Sequence, residues 1–259
     1  DSALYNNGEG AIFDVHATRN TAVGSKSLFR NSTGYSNSAF GSGSLSQNTI
    51  GTSNTAIGDA TLRQNTIGHS NTAVGAGTLA QNTFGINNTS IGAVSMLANT
   101  TGGYNSAVGQ SAMLGNEDGS YNSAIGYETL SNNAAGSNNV ALGIRALKTN
   151  YSGHSNVAVG PYAGYFETSS HKLYIENSDA SKDNTLIYGD FAADSILLNA
   201  KTINRNSFNI RGNNPLEMGY GTPSKQTDAG KICYVCFGDP AHWLGIVGGG
   251  TNALGSDRV

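Results

Sequence analysis

Charge, apolar bulk and sulfur are what this 259-residue chain has least of. Charged residues make up 12% and hydrophobic residues 37%, the latter below the roughly 45–50% usual in soluble domains. A net charge of -3 and a pI of 5.9 leave no electrostatic footprint for nucleic acid or an anionic membrane. No apolar run approaches the roughly 20 residues of a membrane span. Scarce apolar residues would suit a disordered chain, but disorder also calls for high net charge, which is missing. No initiator Met stands at Asp1 and no signal peptide is evident, which reads as a fragment or a processed product. The two cysteines lie in Cys233-Tyr234-Val235-Cys236. Zinc would need two further ligands, and no second Cys or His pair follows at finger spacing. Strand residues three apart point to opposite faces, so a disulfide is awkward and ordinary buried thiols are expected. No metal site and no cofactor are expected.

Glycine, by contrast, supplies 35 residues, and a periodic text surrounds it. A five-residue phrase recurs nine times at intervals of seventeen, beginning at Asn20, Asn37, Asn54, Asn71, Asn88, Asn105, Asn122, Asn139 and Asn156. It reads Asn, then Thr, Ser or Val, then Ala (once Ser), then a branched or aromatic apolar residue, then Gly. Leu28, Leu45, Leu62, Leu79, Met96, Met113, Leu130 and Leu147 keep the same beat, as do a second Asn column from Asn31 to Asn150 and a second Gly column from Gly34 to Gly153. A strict period with one supersecondary unit per repeat is the mark of a solenoid.

In Asn71-Thr72-Ala73-Val74-Gly75, strand alternation puts Thr72 and Val74 on one face and Asn71, Ala73 and Gly75 on the other. A second short strand is expected around Leu79. Asn82-Thr83-Phe84-Gly85 then turns the chain back, with Gly supplying positive φ. In-register rungs roughly 4.8 Å apart would give nine rungs a length of about 43 Å. Amides stacked rung on rung can hydrogen-bond along the axis, so the repeated Asn and Thr residues read as structural. The regular Ala side invites close approach by another chain, because so narrow a stack gains from packing several copies about an axis.

The expected fold is therefore all-β: a parallel β-solenoid of about nine 17-residue rungs, followed by a small β-rich C-terminal domain. Residues 1–17 read as an N-terminal cap or the end of a preceding module, and 18–160 as the repeats. At Pro161 the beat breaks. Gly164 and Glu167 stand where Leu and Asn were due, and 161–204 read as a β connector that covers the last rung. Strands are expected at Lys172 to Glu176, Thr185 to Phe191 and Ser195 to Leu198. Residues 205–259 read as a small β domain, with strands at Ser207 to Ile210, Lys231 to Phe237 and Trp243 to Val247.

The Asn-Ser/Thr-Ala-Ile/Val-Gly phrase with its following Leu resembles the head repeats of trimeric autotransporter adhesins, although those repeats are usually shorter. The seventeen-residue form is more similar to repeats in phage and bacterial-surface fibres, many of which end in an endosialidase-type intramolecular chaperone. The segments His171-Lys172-Leu173-Tyr174-Ile175-Glu176-Asn177 and Leu186-Ile187-Tyr188-Gly189-Asp190-Phe191 look like the strand pair that follows such repeats. The resemblance covers about residues 18 to 165. It implies left-handed parallel β-rolls assembled three to a fibre, located outside the cell on a bacterial surface or a phage tail.

The expected function is a non-enzymatic homotrimeric fibre segment that holds a C-terminal tip away from a cell or virion. The partner would be a cell-surface glycan or receptor of a host or prey cell. Candidate ligand-binding residues are Trp243, His242, Tyr220 and Asp239, an aromatic platform beside hydrogen-bonding groups; the competing role for Trp243 is core or trimer interface. A glycan-degrading spike enzyme is the alternative. It needs two carboxylates about 5–9.5 Å apart, and Glu176, Asp179, Asp190, Glu217, Asp228 and Asp239 form no recognisable motif. The five His residues (16, 69, 154, 171 and 242) do not cluster in sequence. Ice or surface binding is a third reading. It lacks a Thr-x-Thr lattice, because Ser38, Ser106, Ser123, Val140 and Val157 interrupt the Thr column. Calcium-binding repeats are excluded, since no Asp recurs with the period.

Overall fold

A computed structural model describes residues 2–10, 12–13 and 16–199, and the backbone of three further strands. The chain divides into two compact units, Asp1–Ala200 and Lys201–Val259. The first is a parallel β-solenoid. Its strands are β1 (Thr21–Val23), β2 (Ser38–Phe40), β3 (Thr55–Ile57), β4 (Thr72–Val74), β5 (Thr89–Ile91), β6 (Ser106–Val108), β7 (Ser123–Ile125), β8 (Val140–Leu142) and β9 (Val157–Val159). Each pairs in parallel with the next and in strict register, so that Ala56 faces Ala73 and Ile57 faces Val74. The seventeen-residue beat is thus one rung per repeat.

The interior is built from columns of identical or similar side chains. Ala39, Ala56, Ala73, Ala107, Ala124, Ala141 and Ala158 are fully buried, and so is the Leu/Met column from Leu28 to Leu147. Alanine therefore lines the inside of each rung. The expectation that another chain packs on the Ala side is corrected, because the Leu column of the same chain already fills that space.

The strand expected around Leu79 is absent. Residues there form a turn, with Leu79 at φ +51°. Every member of that column, from Leu28 to Leu147, shares this left-handed conformation. An L-residue there sacrifices roughly 1–2 kcal/mol, while complete burial of a Leu side chain contributes about 1.5–3 kcal/mol. The bend also keeps the backbone paired between rungs: Leu62 N–H donates to Thr78 O (3.0 Å) and Gln64 N–H to Ala80 O (2.9 Å). Burial and pairing together outweigh the torsional cost.

Two amide ladders run through the stack. Asn82 Nδ2 donates to Asn65 Oδ1 (2.8 Å) and to Gly85 O (3.1 Å), and Asn82 Oδ1 accepts from Asn99 Nδ2 (2.7 Å). In the other column, Asn71 Nδ2 donates to Gly85 O (2.9 Å), and Asn71 Oδ1 accepts from the Asn88 backbone N–H (3.0 Å). Buried amides are tolerated here because they are partnered; among the described residues the exception is Asn150 Oδ1, at the last rung of its ladder. Gly85 is not in the positive-φ region, contrary to expectation. Its glycine is required for space, since a Cβ would lie 2.6 Å from Asn99 Nδ2.

The amino-terminal segment contains half a rung. Leu4 N–H donates to Ser27 O (3.0 Å), as Leu28 N–H does to Ser44 O, and Asn7 Oδ1 accepts from Asn31 Nδ2 (2.8 Å). Leu4, Asn7 and Gly10 thus repeat the spacing of Leu28, Asn31 and Gly34. At the other end, β10 (Lys172–Ile175) pairs in parallel with β9 and antiparallel with β11 (Ile187–Asp190), which pairs with β12 (Ser195–Leu198). Tyr174 enters the Ala column, opposite Ala158, while Gly164 occupies the Leu column. The exchange is complementary: a Cβ on Gly164 would lie 3.0 Å from both Leu147 Cδ2 and Tyr174 Cδ2. The large ring covers the last Leu from the opposite wall.

In the second unit, β13 (Leu216–Met218), β14 (Gly230–Tyr234) and β15 (Leu244–Val247) form an antiparallel sheet in that order. Cys233 lies on β14 opposite Gly245. Cys236, and the strand expected at Ser207 to Ile210, lie outside the described residues.

Candidate functional site, an outward apolar ladder

Inward placement of the middle residue of each three-residue strand, Ala in all but Ser90, forces the flanking residues outward. The third strand position then forms a column of nine apolar side chains: Val23, Phe40, Ile57, Val74, Ile91, Val108, Ile125, Leu142 and Val159. Ile125 is 50% exposed and Ile91 42%. A Thr, Ser or Val column lies beside it, from Thr21 to Val157. Nine such side chains present an apolar strip on the order of 500 Å², comparable with the largest patch on an ordinary monomer and ordered along a line. Strand pairing fixes this strip to within one residue, since a one-residue slip would turn it inward.

A second concentration of side chains lies on the arches of the seventh to ninth rungs. Glu128 Oε2 accepts from Arg145 Nε (2.8 Å) and Lys148 Nζ (2.7 Å). The Arg145 guanidinium lies 5.8 Å from the centres of both the Tyr127 and Tyr162 rings. Hydrogen bonds from Lys148 above all, with Tyr127 and Arg145, hold the Glu128 carboxyl at about 2, below its ordinary 4.5. A depressed carboxyl contributes stability above its unfolded value and loses it as pH falls through the folded one. Acid titration from about pH 4.5 towards pH 2 should therefore remove a stabilising term that Glu128→Gln lacks. Unfolding midpoints of the two proteins should converge across that window, and a constant gap would show that the ion pair does not form.

Burial alone would raise Glu167, but the Tyr174 hydroxyl and the Ser169 and Thr168 backbone N–H groups donate to it and keep it below the usual range. Tyr174 is raised, by burial first and then by that carboxylate. Both groups serve to close the stack.

The predicted tip residues Tyr220, Asp239, His242 and Trp243 lie outside the described residues. Of the carboxylates weighed for catalysis, Asp190 pairs with Lys172 (2.6 Å). Glu176 accepts from the Asn177 and Leu186 backbone N–H groups. Asp179 is exposed, and Asp228 lies outside the described residues. Among the described residues no group of three or more His, Cys, Asp or Glu side chains is placed to hold a metal ion. No helix there is long and apolar enough to cross a membrane.

The structure does bring together pairs that linear reading missed. His154 and His171 meet edge to face with centroids 5.5 Å apart, and Tyr104 and Tyr121 stack at 4.9 Å. Both pairs, like Glu128 and Arg145, are seventeen residues apart, so reading the sequence in columns would have found them. No protein-family model, curated protein or solved structure matches the chain.

Proposed function

We propose that the chain is a non-enzymatic structural segment of an extracellular homotrimeric fibre, with the solenoid as spacer and the C-terminal unit as a receptor- or glycan-binding tip. The observation that carries this reading is the outward apolar ladder. It runs the full length of the nine rungs, and no strand of the solenoid covers it. Three copies packed in register along that line would remove each Val, Ile and Phe side chain from water, at about 25 cal/mol per Å² of apolar surface. The repeat's resemblance to trimeric adhesin heads and tail fibres points the same way. Three tips on one fibre would then bind avidly through effective concentration.

Sedimentation equilibrium tests the assembly. The parent chain should run as a trimer, and Ile91→Lys combined with Ile125→Lys should run as a monomer. The circular dichroism of the repeats should be retained, because both side chains point away from the core. A parent chain that sediments as a monomer at micromolar concentration removes the trimer from the proposal.

A further inference from the structure

We propose that the arch edge of the last three rungs, with the cavity beyond it, is a binding site for a neutral oligosaccharide. In the Tyr127 and Tyr162 columns the earlier rungs carry no aromatic residue: Ser42, Asp59, Ala76, Ala93 and Gln110 stand in the first, and Gly43, Ala60, Gly77 and Val94 in the second. From the seventh rung the same edge turns aromatic. Tyr127 and Tyr162 flank Arg145. Tyr162 lies 5.9 Å from Tyr165, and Tyr165 meets Phe166 edge to face at 4.7 Å. Phe166 in turn forms one wall of a cavity of about 320 Å³ with Glu167, Tyr174, Asp179 and Lys182. A row of rings, bridged between Tyr127 and Tyr162 by the Arg145 guanidinium, therefore leads to a recess at the low end of the size range for small-molecule sites.

Phe166 is 67% exposed and Tyr127 40%, with Tyr162 and Tyr165 half-buried between them, so ring surface at both ends of the row is open to a ligand. The row is also held still. Arg145 is fixed by Glu128 between two rings, and Lys148 reaches the Tyr165 ring at 5.9 Å. A rigid platform loses little entropy when a ligand docks.

The chemistry selects the ligand class. Aromatic faces suit the C–H faces of pyranose rings, and the exposed Asp179 and Lys182 offer an acceptor and a donor for hydroxyls. Charges of both signs are interspersed: Arg145 and Lys148 are engaged by Glu128, and Lys182 lines the recess together with Glu167 and Asp179. With no one-sign cluster to hold an anionic or a cationic group, the site fits an uncharged sugar. The proposal rests on the fibre reading for its setting, whereas its geometry lies within one chain.

The test is an array of short neutral oligosaccharides beside sialylated and uronate-containing ones, probed with the full chain, followed by calorimetric titration of the best binder. A neutral glycan should bind. Phe166→Ala and Tyr162→Ala should each weaken it about tenfold or more, while Tyr35→Ala, on another edge, should leave it unchanged. Circular dichroism checks that each variant folds, and exposed Phe166 carries the test should Tyr162→Ala not fold. Binding only to charged glycans, no neutral binder, or variants that bind like the parent would overturn the site. So would loss of the trimer in Phe166→Ala, which would make the row a subunit interface. A parent chain that is monomeric yet binds through Phe166 would leave the site standing and remove the trimeric fibre.

Discussion

Gly75→Ala should destabilise the solenoid by about 4 kcal/mol or more, the largest effect expected from adding one methyl group. Gly75 ends β4 at φ +131°, a conformation that L side chains rarely adopt, and a Cβ there would lie 2.7 Å from both the carbonyl carbon and oxygen of Gly92. The obstacle is backbone of the adjacent rung, so no side chain can swing away. Relief requires the fourth and fifth rungs to separate, which breaks the strand pairing and both amide ladders at that level. Gly77→Ala is the control. Gly77 also has positive φ, at +66°, but its column already holds Ala60 and Val94, both at +51°. The substitution should cost no more than about 1–2 kcal/mol. Denaturant midpoints would compare the two, and amide exchange in the Gly75→Ala protein should lose protection first around Thr72–Val74 and Thr89–Ile91. Equal destabilisation by both substitutions would mean that contact between rungs does not limit this position.

Asn82→Asp should be nearly as damaging at neutral pH, and its damage should depend on pH. The change is isosteric, yet it replaces an NH2 that donates to Asn65 Oδ1 and Gly85 O with an oxygen facing the same two acceptors. A buried uncompensated charge of this kind costs about 3–5 kcal/mol. Desolvation and the two facing oxygens raise the folded pKa of the introduced carboxyl above its unfolded value of about 3.9. Below that value the group is protonated in both states, and its O–H can still donate to one of the two acceptors. The deficit relative to the parent should therefore be smallest below about pH 4. It should grow as pH rises and level off above the folded pKa. Urea midpoints for both proteins at acid and neutral pH provide the comparison. A deficit that does not change with pH would mean that Asn82 is not donating along the ladder.

The period, the parallel register and the interior Asn columns were legible in the sequence because each is a statement about residues seventeen apart. Direction was harder. Alternation separates Ala73 from Val74 but does not say which faces inward, and hydrophobicity alone favours the wrong answer. Only the Leu column, bent into the left-handed region, decides that the small side faces the interior. That bend was missed for a physical reason. Its cost is local and visible in propensity, whereas its compensation comes from burial against neighbouring rungs. The half-rung at Leu4, Asn7 and Gly10 was hidden by an insertion. Asn7 and Asn31 are 24 apart and not 17, and the extra seven residues break the beat while leaving the ladder intact. The aromatic edge leaves little linear signal because Tyr127 stands far along the chain from the Tyr162–Phe166 segment, and Arg145 links the two only once the rungs stack. The expected tip residues were chosen by position in the chain, and position carries no geometry.

The interior columns also make the repeat count adjustable. Each rung presents to its neighbours nearly the same donors, acceptors and side-chain volumes, so a whole repeat can be gained or lost by duplication or deletion without orphaning a buried group. The exceptions mark where such editing is constrained. Ser90, the one Ser in the Ala column, donates to Ser95 of the same repeat (2.8 Å), and the pair travels together in any cut made at the repeat boundary. The exchange of Gly164 for Leu and Tyr174 for Ala belongs to the terminus and cannot be copied into the middle. Inheritance can therefore tune length in whole steps, while both ends stay as they are.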